Sequence, residues 1–317
     1  MDERLFAEVT RKRGLSLDGS VTMLPFAGRV GAETRRLYFS LAQVAGGDRF
    51  NVAPVLRPMG PLPVTRIISF GECNVACPYC KRDCQFRDNE GNVISQVDVP
   101  LRQVFEMAEA AHARGETVRF SGGDPVVFPR ECLAVSEYLW LRYGARTSIA
   151  HNGTGPAWVR KMAPYLSSAA IDLKAPRDSL GRIMGISQAR GQAFYDLSLQ
   201  TQGVLSDAEI IMDVRTPVFG DTTLGDMVSL GEVVARNNPQ TTFWTWRLYK
   251  PVVGCEWQQP EKDAAFKMLD EVSARFPALW MGVRAKWAQG GMMYWRGGRR
   301  YDPMPLEHDE ARGSGNV

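Results

Sequence analysis

Val64-Thr65-Arg66-Ile67-Ile68-Ser69-Phe70 runs directly into Gly71-Glu72-Cys73-Asn74-Val75-Ala76-Cys77-Pro78-Tyr79-Cys80. The first half reads as a short apolar strand and the second as a loop with cysteines spaced C-x3-C-x2-C. Iron–sulfur clusters are held by cysteine thiolates, and a four-iron cubane normally takes four. Three ligands on one loop leave one iron open, and an open position is how a metal site moves from structure to chemistry. A zinc ribbon needs a second ligand pair at a fixed offset. Cys84, Cys132 and Cys255 do not form one, and His112, His151 and His308 are scattered. Disulfide frameworks belong to small secreted chains, whereas this chain has 317 residues and no apolar targeting run at its start. Cys84 extends the run to C-x3-C-x2-C-x3-C. It either closes the site as a fourth ligand, shields the cluster, or has no part in it. Lys81, Arg82 and Arg87 follow; they either tune the cluster and dock an anionic electron donor or form a solvated basic loop.

Further strands end in polar or glycine-rich turns. Thr117–Phe120 leads to Ser121-Gly122-Gly123-Asp124-Pro125, where two glycines let a backbone approach a ligand closely or simply make a turn. Thr147–Ala150 leads to His151-Asn152-Gly153-Thr154. In Ala169-Ala170-Ile171-Asp172-Leu173-Lys174, strand alternation puts Asp172 and Lys174 on one face. Such a pair suits a zwitterion, and a surface ion pair is the plainer alternative. Glu209–Val214 leads to Arg215-Thr216-Pro217-Val218-Phe219-Gly220, and Arg215 offers a guanidinium that binds carboxylates bidentately. Thr241–Leu248 leads to Tyr249-Lys250-Pro251-Val252-Val253-Gly254-Cys255.

C-x3-C-x-aromatic-C directly after an apolar strand resembles the signature of the radical S-adenosylmethionine (radical SAM) superfamily. The later strand ends, Asp-x-Lys and Arg215 with its Pro-Gly loop above all, resemble the glycyl-radical activating-enzyme branch. The resemblance covers about residues 64 to 287. It implies that Cys73, Cys77 and Cys80 hold a [4Fe–4S] cluster and that S-adenosylmethionine chelates the open iron through its amino and carboxylate groups. Tyr79 then lies near the adenine, and the Gly122-Gly123 backbone meets the methionine amino group. Asp124 stands where the family more often has Glu. Asn152, Asp172, Lys174 and Arg215 complete the implied cofactor pocket. The implied chemistry passes one electron from the reduced cluster to the sulfonium, breaks the C5′–S bond, and leaves a 5′-deoxyadenosyl radical that takes hydrogen from a substrate. That substrate is a small molecule or a peptide, with epimerisation or rearrangement among the outcomes. One alternative is an activase making a glycyl radical on a partner protein; another is a non-catalytic electron-transfer or sensor protein. A one-electron donor such as flavodoxin or ferredoxin is implied. Cys255 is either a hydrogen donor to the substrate radical or a small buried hydrophobe.

Helical spacing separates the strands. Leu101, Val104, Phe105, Ala108 and Ala111 share a face of a helix over 99–114, with Asp98 as its cap and Gly115 as its stop. Later helices are expected over 129–143, 157–166, 188–203, 224–237 and 261–276. Six βα units imply parallel strands with crossover helices, and the resemblance makes this an open (β/α)6 partial barrel. Sites of parallel barrels lie at the C-terminal strand ends, where every motif above sits. The expected organisation is an N-terminal extension over 1–63, the barrel over 64–287, and a C-terminal hairpin and tail over 288–317. In the extension Glu33–Val44 reads as a short helix and Val52–Val64 as a proline-rich connector. Leu279–Trp287 reads as a further strand, followed by a hairpin turning at Gly297-Gly298. Composition is that of a soluble globular enzyme, 44% hydrophobic and 23% charged with a net charge of +3, and a cytoplasmic location is expected. The charge is too small to imply nucleic acid, and no stretch is long and apolar enough to span a membrane.

Overall fold

The computed structural model describes residues 1–23, 29–30, 65–80, 97–251, 254–284 and 292–301. The strands are β1 (Ser20–Met23), β2 (Arg29–Val30), β3 (Thr65–Phe70), β4 (Val97–Pro100), β5 (Thr117–Gly122), β6 (Thr147–His151), β7 (Leu166–Asp172), β8 (Ile211–Val218), β9 (Thr242–Leu248), β10 (Trp280–Arg284), β11 (Met292–Arg296) and β12 (Arg299–Tyr301). The helices are α1 (Glu3–Lys12), α2 (Leu101–Ala113), α3 (Pro129–Tyr143), α4 (Pro156–Met162), α5 (Leu180–Met184), α6 (Gln188–Asp207), α7 (Leu224–Val234) and α8 (Lys262–Arg275).

The strands form one sheet in the order β12-β11-β10-β9-β8-β7-β6-β5-β3-β1-β4, with β2 also pairing β3. From β3 through β5, β6, β7, β8 and β9 to β10 every neighbouring pair is parallel. The two edges are antiparallel: β1 and β2 on β3, β4 on β1, β11 on β10 and β12 on β11. The sheet is open, as a partial barrel requires, and β10 adds one parallel strand beyond the six βα units.

Register sorts the strand residues onto two faces. Ile68, Phe120, Ile149 and Ala169 lie opposite one another in turn, as do Val214, Trp244 and Met281. All belong to the buried core under the helices, with Leu101, Val104, Phe105, Ala108 and Ala111 of α2. The other face is polar. Arg119 opposes Ser148, Ser148 opposes Ser168, Ala170 opposes Asp213, and Asp172 opposes Arg215. A curled sheet with helices outside turns that polar face into its lumen.

The described part of the N-terminal extension is built into this core. Asp2 caps α1 by accepting from the Leu5 N–H at 3.0 Å. Phe6 is 1% exposed and meets Phe105 edge-on at 4.9 Å. Lys12 and Arg13 both pair with Glu137 of α3. β1 takes the free edge of β3, and the Gly71 N–H donates to the Thr22 carbonyl at 2.8 Å. The segments expected at 33–44 and 52–64 lie outside the described residues.

Several boundaries differ from the sequence reading. Asp98 is not a helix cap. It sits in β4 and accepts from the Thr22 hydroxyl at 3.2 Å, so α2 begins at Leu101, after Pro100. α4 ends at Met162 because a 3₁₀ turn over Ala163–Tyr165 tightens the chain into β7. β8 starts at Ile211, because Glu209 has φ 53°, a conformation incompatible with a strand. The C-terminal hairpin forms as expected, with Gly297 and Gly298 at φ 57° and 71°. Its Trp295 is buried and donates to Asp270 of α8 at 2.7 Å, which makes it a packing residue. No helix among the described residues is long and apolar enough to cross a membrane.

Candidate functional site

The loop over 71–80 leaves the C-terminal end of β3 carrying Cys73, Cys77 and Cys80, all three thiols free. Cys73 is exposed, Cys77 buried and Cys80 half-buried. The loop is fastened on three sides.

The first fastening is backbone to backbone. The Gly123 N–H donates to the Phe70 carbonyl at 2.8 Å and the Asp124 N–H to the Glu72 carbonyl at 2.7 Å. A Cβ on Gly122 would stand 2.2 Å from the Phe70 oxygen, and one on Gly123 would stand 1.9 Å from the Glu72 oxygen. Gly122 also has φ 110°, which side chains rarely adopt. The two glycines are therefore required by the chain's own cysteine loop.

The second fastening runs through Asp124, which is 2% exposed. Its Oδ1 accepts from the Val126 N–H at 2.9 Å and its Oδ2 from the Asn152 N–H at 2.7 Å. His151 completes the set. The Gly155 N–H donates to His151 Nε2 at 3.0 Å, so that nitrogen carries no proton and Nδ1–H donates to Asp124 Oδ1 at 2.7 Å. The imidazole is neutral, with one tautomer fixed. Asn152 then reaches the loop itself. Its Nδ2 donates to Asn74 Oδ1 at 2.6 Å, Asn74 Nδ2 donates to the Thr154 hydroxyl at 2.8 Å, and that hydroxyl returns to Asn152 Oδ1 at 2.7 Å. The three side chains close a ring that ties residue 74 to the end of β6.

The third fastening is aromatic. Tyr79 stacks on Trp257 at 5.4 Å and meets Phe219 edge-on at 5.1 Å. Phe219 also contacts Tyr249 and Trp257. The Lys174 ammonium lies 5.8 Å above the Tyr79 ring.

Cations and carboxylates then line the lumen. Lys174, just past the end of β7, donates to Asp172. Burial works against the Asp172 charge, but Lys174 and Arg247 outweigh it and hold the carboxyl below its ordinary value. Asp213 holds Arg215 at Nε, 2.7 Å away, and accepts from the Thr245 hydroxyl. Asp213-Val214-Arg215 thus repeats, one strand over, the pattern Asp172-Leu173-Lys174. Arg119 donates to the Ser148 hydroxyl at 2.9 Å.

The structure therefore brings Tyr79, Gly122, Gly123, Asp124 and Asn152 around the cysteine loop, and Asp172, Lys174 and Arg215 at the neighbouring strand ends. Cys255 is half-buried and packs against the core. Cys84 and His308 lie outside the described residues. Cys132 is buried in α3, with its thiol toward the Pro125 carbonyl. The sequence reading missed Asn74, His151, Asp213 and Arg247 as site residues. Asp213 was reachable, because it precedes Arg215 by the same two-residue step as in Asp-x-Lys. Asn74 and His151 were not, because their partners come from other strand ends.

The donor chemistry fits an iron–sulfur group. Burial pushes Cys77 up to about 11, against the pull of Lys174. Soft thiols that resist ionisation alone are ionised by a coordinated metal. Among the described residues no three His, Cys, Asp or Glu side chains already converge as a ready-made metal site. The fit therefore rests on three free thiols sharing one anchored loop.

Residues 67–197 match the Radical SAM superfamily. No curated protein matches the sequence. Among solved structures, the chain is similar to a radical SAM methyltransferase from Sphaerobacter thermophilus, 15% identical with a TM-score of 0.50, over 67% of this chain and 63% of that one. It is similar to Streptococcus suis SuiB bound to S-adenosylmethionine, 13% identical with a TM-score of 0.51, over 71% of this chain and 51% of that one. It is also similar to SuiB bound to precursor peptide SuiA, 13% identical with a TM-score of 0.52, over 74% and 52%. The chain thus spans less than two thirds of the length of each of these structures, and at such identities the likeness shows the fold alone. Residues 67–197 are thus similar to the radical SAM superfamily, and the fold around them is shared with these solved structures.

Proposed function

We propose that this chain is a radical SAM enzyme, with Cys73, Cys77 and Cys80 holding a [4Fe–4S] cluster and the adjacent strand ends holding S-adenosylmethionine. One observation carries the reading: the loop bearing the three thiols is tied to the ends of β5 and β6 at the mouth of a polar lumen. When bound, the cluster supplies one electron to the sulfonium and so breaks its C5′–S bond. The chain's own residues do the rest. Gly122 and Gly123 let the backbone lie flush against the cysteine loop. Lys174 and Asp172 present a cation and an anion side by side, complementary to the carboxylate and ammonium of a bound amino acid. Arg215 is held at Nε by Asp213, which fixes the plane of its guanidinium. The rings of Tyr79, Phe219, Tyr249 and Trp257 wall the mouth and limit water around the reacting carbon. His151 is locked between Asp124 and Gly155, so it positions Asp124 and moves no proton. The substrate is a small molecule or a peptide that places one C–H bond in the lumen. A structure of similar fold is described as bound to a precursor peptide, which is consistent with the peptide form.

The test is iron and acid-labile sulfide content after anaerobic reconstitution. The native chain is expected to bind about four irons, and Cys77→Ala to lose most of them and the accompanying visible absorbance. Full iron and sulfide retained by Cys77→Ala would overturn the ligand assignment.

A further inference from the structure

Every residue of β9 is buried except Arg247. The strand is paired on both sides, to β8 and β10. Exposure there means that the side chain stands in the open lumen. Its electrostatic neighbours are Arg215, Asp172, Asp213 and Arg119. Those neighbours are already engaged. Asp172 is paired with Lys174, and Asp213 with Arg215 and Thr245. Arg119 donates to Ser148. No hydrogen bond or ion pair engages Arg247 among the described residues. Among the described residues four lumen cations, Arg119, Lys174, Arg215 and Arg247, thus face two carboxylates. The charge of Arg215 pulls the Arg247 guanidinium down to about 10. Asp172 and Asp213 offset this only in part.

We propose that Arg247 anchors a carboxylate of the substrate. This rests on reading the lumen as the reaction chamber. In that reading Lys174 and Arg215 serve the cofactor at the ends of β7 and β8. Arg247 lies one strand further, in register with Pro217 of β8 and Arg284 of β10. The guanidinium fork matches a planar carboxylate through two parallel N–H···O bonds. The nearby Asp172 and Asp213 charges disfavour a dianionic phosphate at the same place. Clamping one end of the substrate also limits which C–H bond can reach the reacting carbon.

Phenylglyoxal, which modifies arginine side chains, tests this on the purified full-length chain without cluster or cofactor, with sites mapped by peptide mass. Arg247 is expected to react faster than Arg177, whose guanidinium is paired with Asp196. Succinate at about ten times its dissociation constant should slow Arg247 modification about tenfold by mass action and leave Arg177 unchanged. Chloride at matched ionic strength should give no protection, and inorganic phosphate less than succinate. An unreactive Arg247, no protection by succinate, or equal protection by chloride overturns the proposal. Stronger protection by phosphate overturns the carboxylate assignment. The readout needs no S-adenosylmethionine cleavage. A chain that cleaves the cofactor but shows no protection refutes this inference alone; protection without cleavage refutes the radical reading and leaves an anion site.

Discussion

Asp124 accepts three N–H groups from three places: Val126, Asn152 and His151. An amide has one acceptor oxygen, so Asp124→Asn brings a donor against a donor. It should cost about 1–3 kcal/mol, read as a lower urea midpoint at unchanged slope; an unaltered midpoint would contradict the tautomer assigned to His151. Gly123→Ala is expected to be harsher. The new methyl meets the Glu72 carbonyl, which is backbone and cannot swing away. We expect a loss of about 3 kcal/mol or more together with loss of iron binding, and a native-like Gly123→Ala chain that reconstitutes fully would refute the docking role. The cysteine spacing, the Gly-Gly pair and the Asp-x-Lys pair were legible in the sequence, because each is a local pattern. What the glycines approach within the chain was not legible: the reading offered a ligand approach or a turn, and their nearest atoms in the chain belong to Phe70 and Glu72.

At the scale of elements, α2, α3 and β9 follow from their own residues, since apolar spacing and Gly or Pro stops mark them. β1 and β4 do not, because short edge strands take their conformation from the partner that pairs with them. Asp98 shows the point: its local pattern reads as a cap, yet pairing with β1 makes it a strand residue. The docking of α1 on α3 has a pH signature. Burial opposes the Glu137 charge, but hydrogen bonds from Lys12 and Arg13 prevail and hold its carboxyl below the ordinary range. A depressed carboxyl contributes stability that is complete above the unfolded value and lost as pH falls through the folded one. The native chain should therefore lose more stability than Glu137→Gln between neutral pH and about pH 3. Parallel acid limbs for the two proteins in urea melts would show that the pair contributes nothing.

Over the whole molecule, alternation of strands and helices foresaw parallel strands with crossover helices, and the family resemblance foresaw an open partial barrel with its motifs at one end. The polarity of the lumen was harder to see. It arises because Arg119, Ser148, Asp172, Asp213, Arg215 and Arg247 come to one face only when separate strands align in register. That alignment places the anchored cysteine loop, the paired charges and Arg247 around one space, which supports the proposed chemistry. The most direct test is anaerobic incubation of the reconstituted chain with dithionite and S-adenosylmethionine, following 5′-deoxyadenosine by chromatography. Formation of 5′-deoxyadenosine by the native chain, abolished in Cys77→Ala, is the result expected. A fully loaded cluster that neither binds S-adenosylmethionine nor yields 5′-deoxyadenosine would contradict the account and leave an electron-transfer or sensor protein.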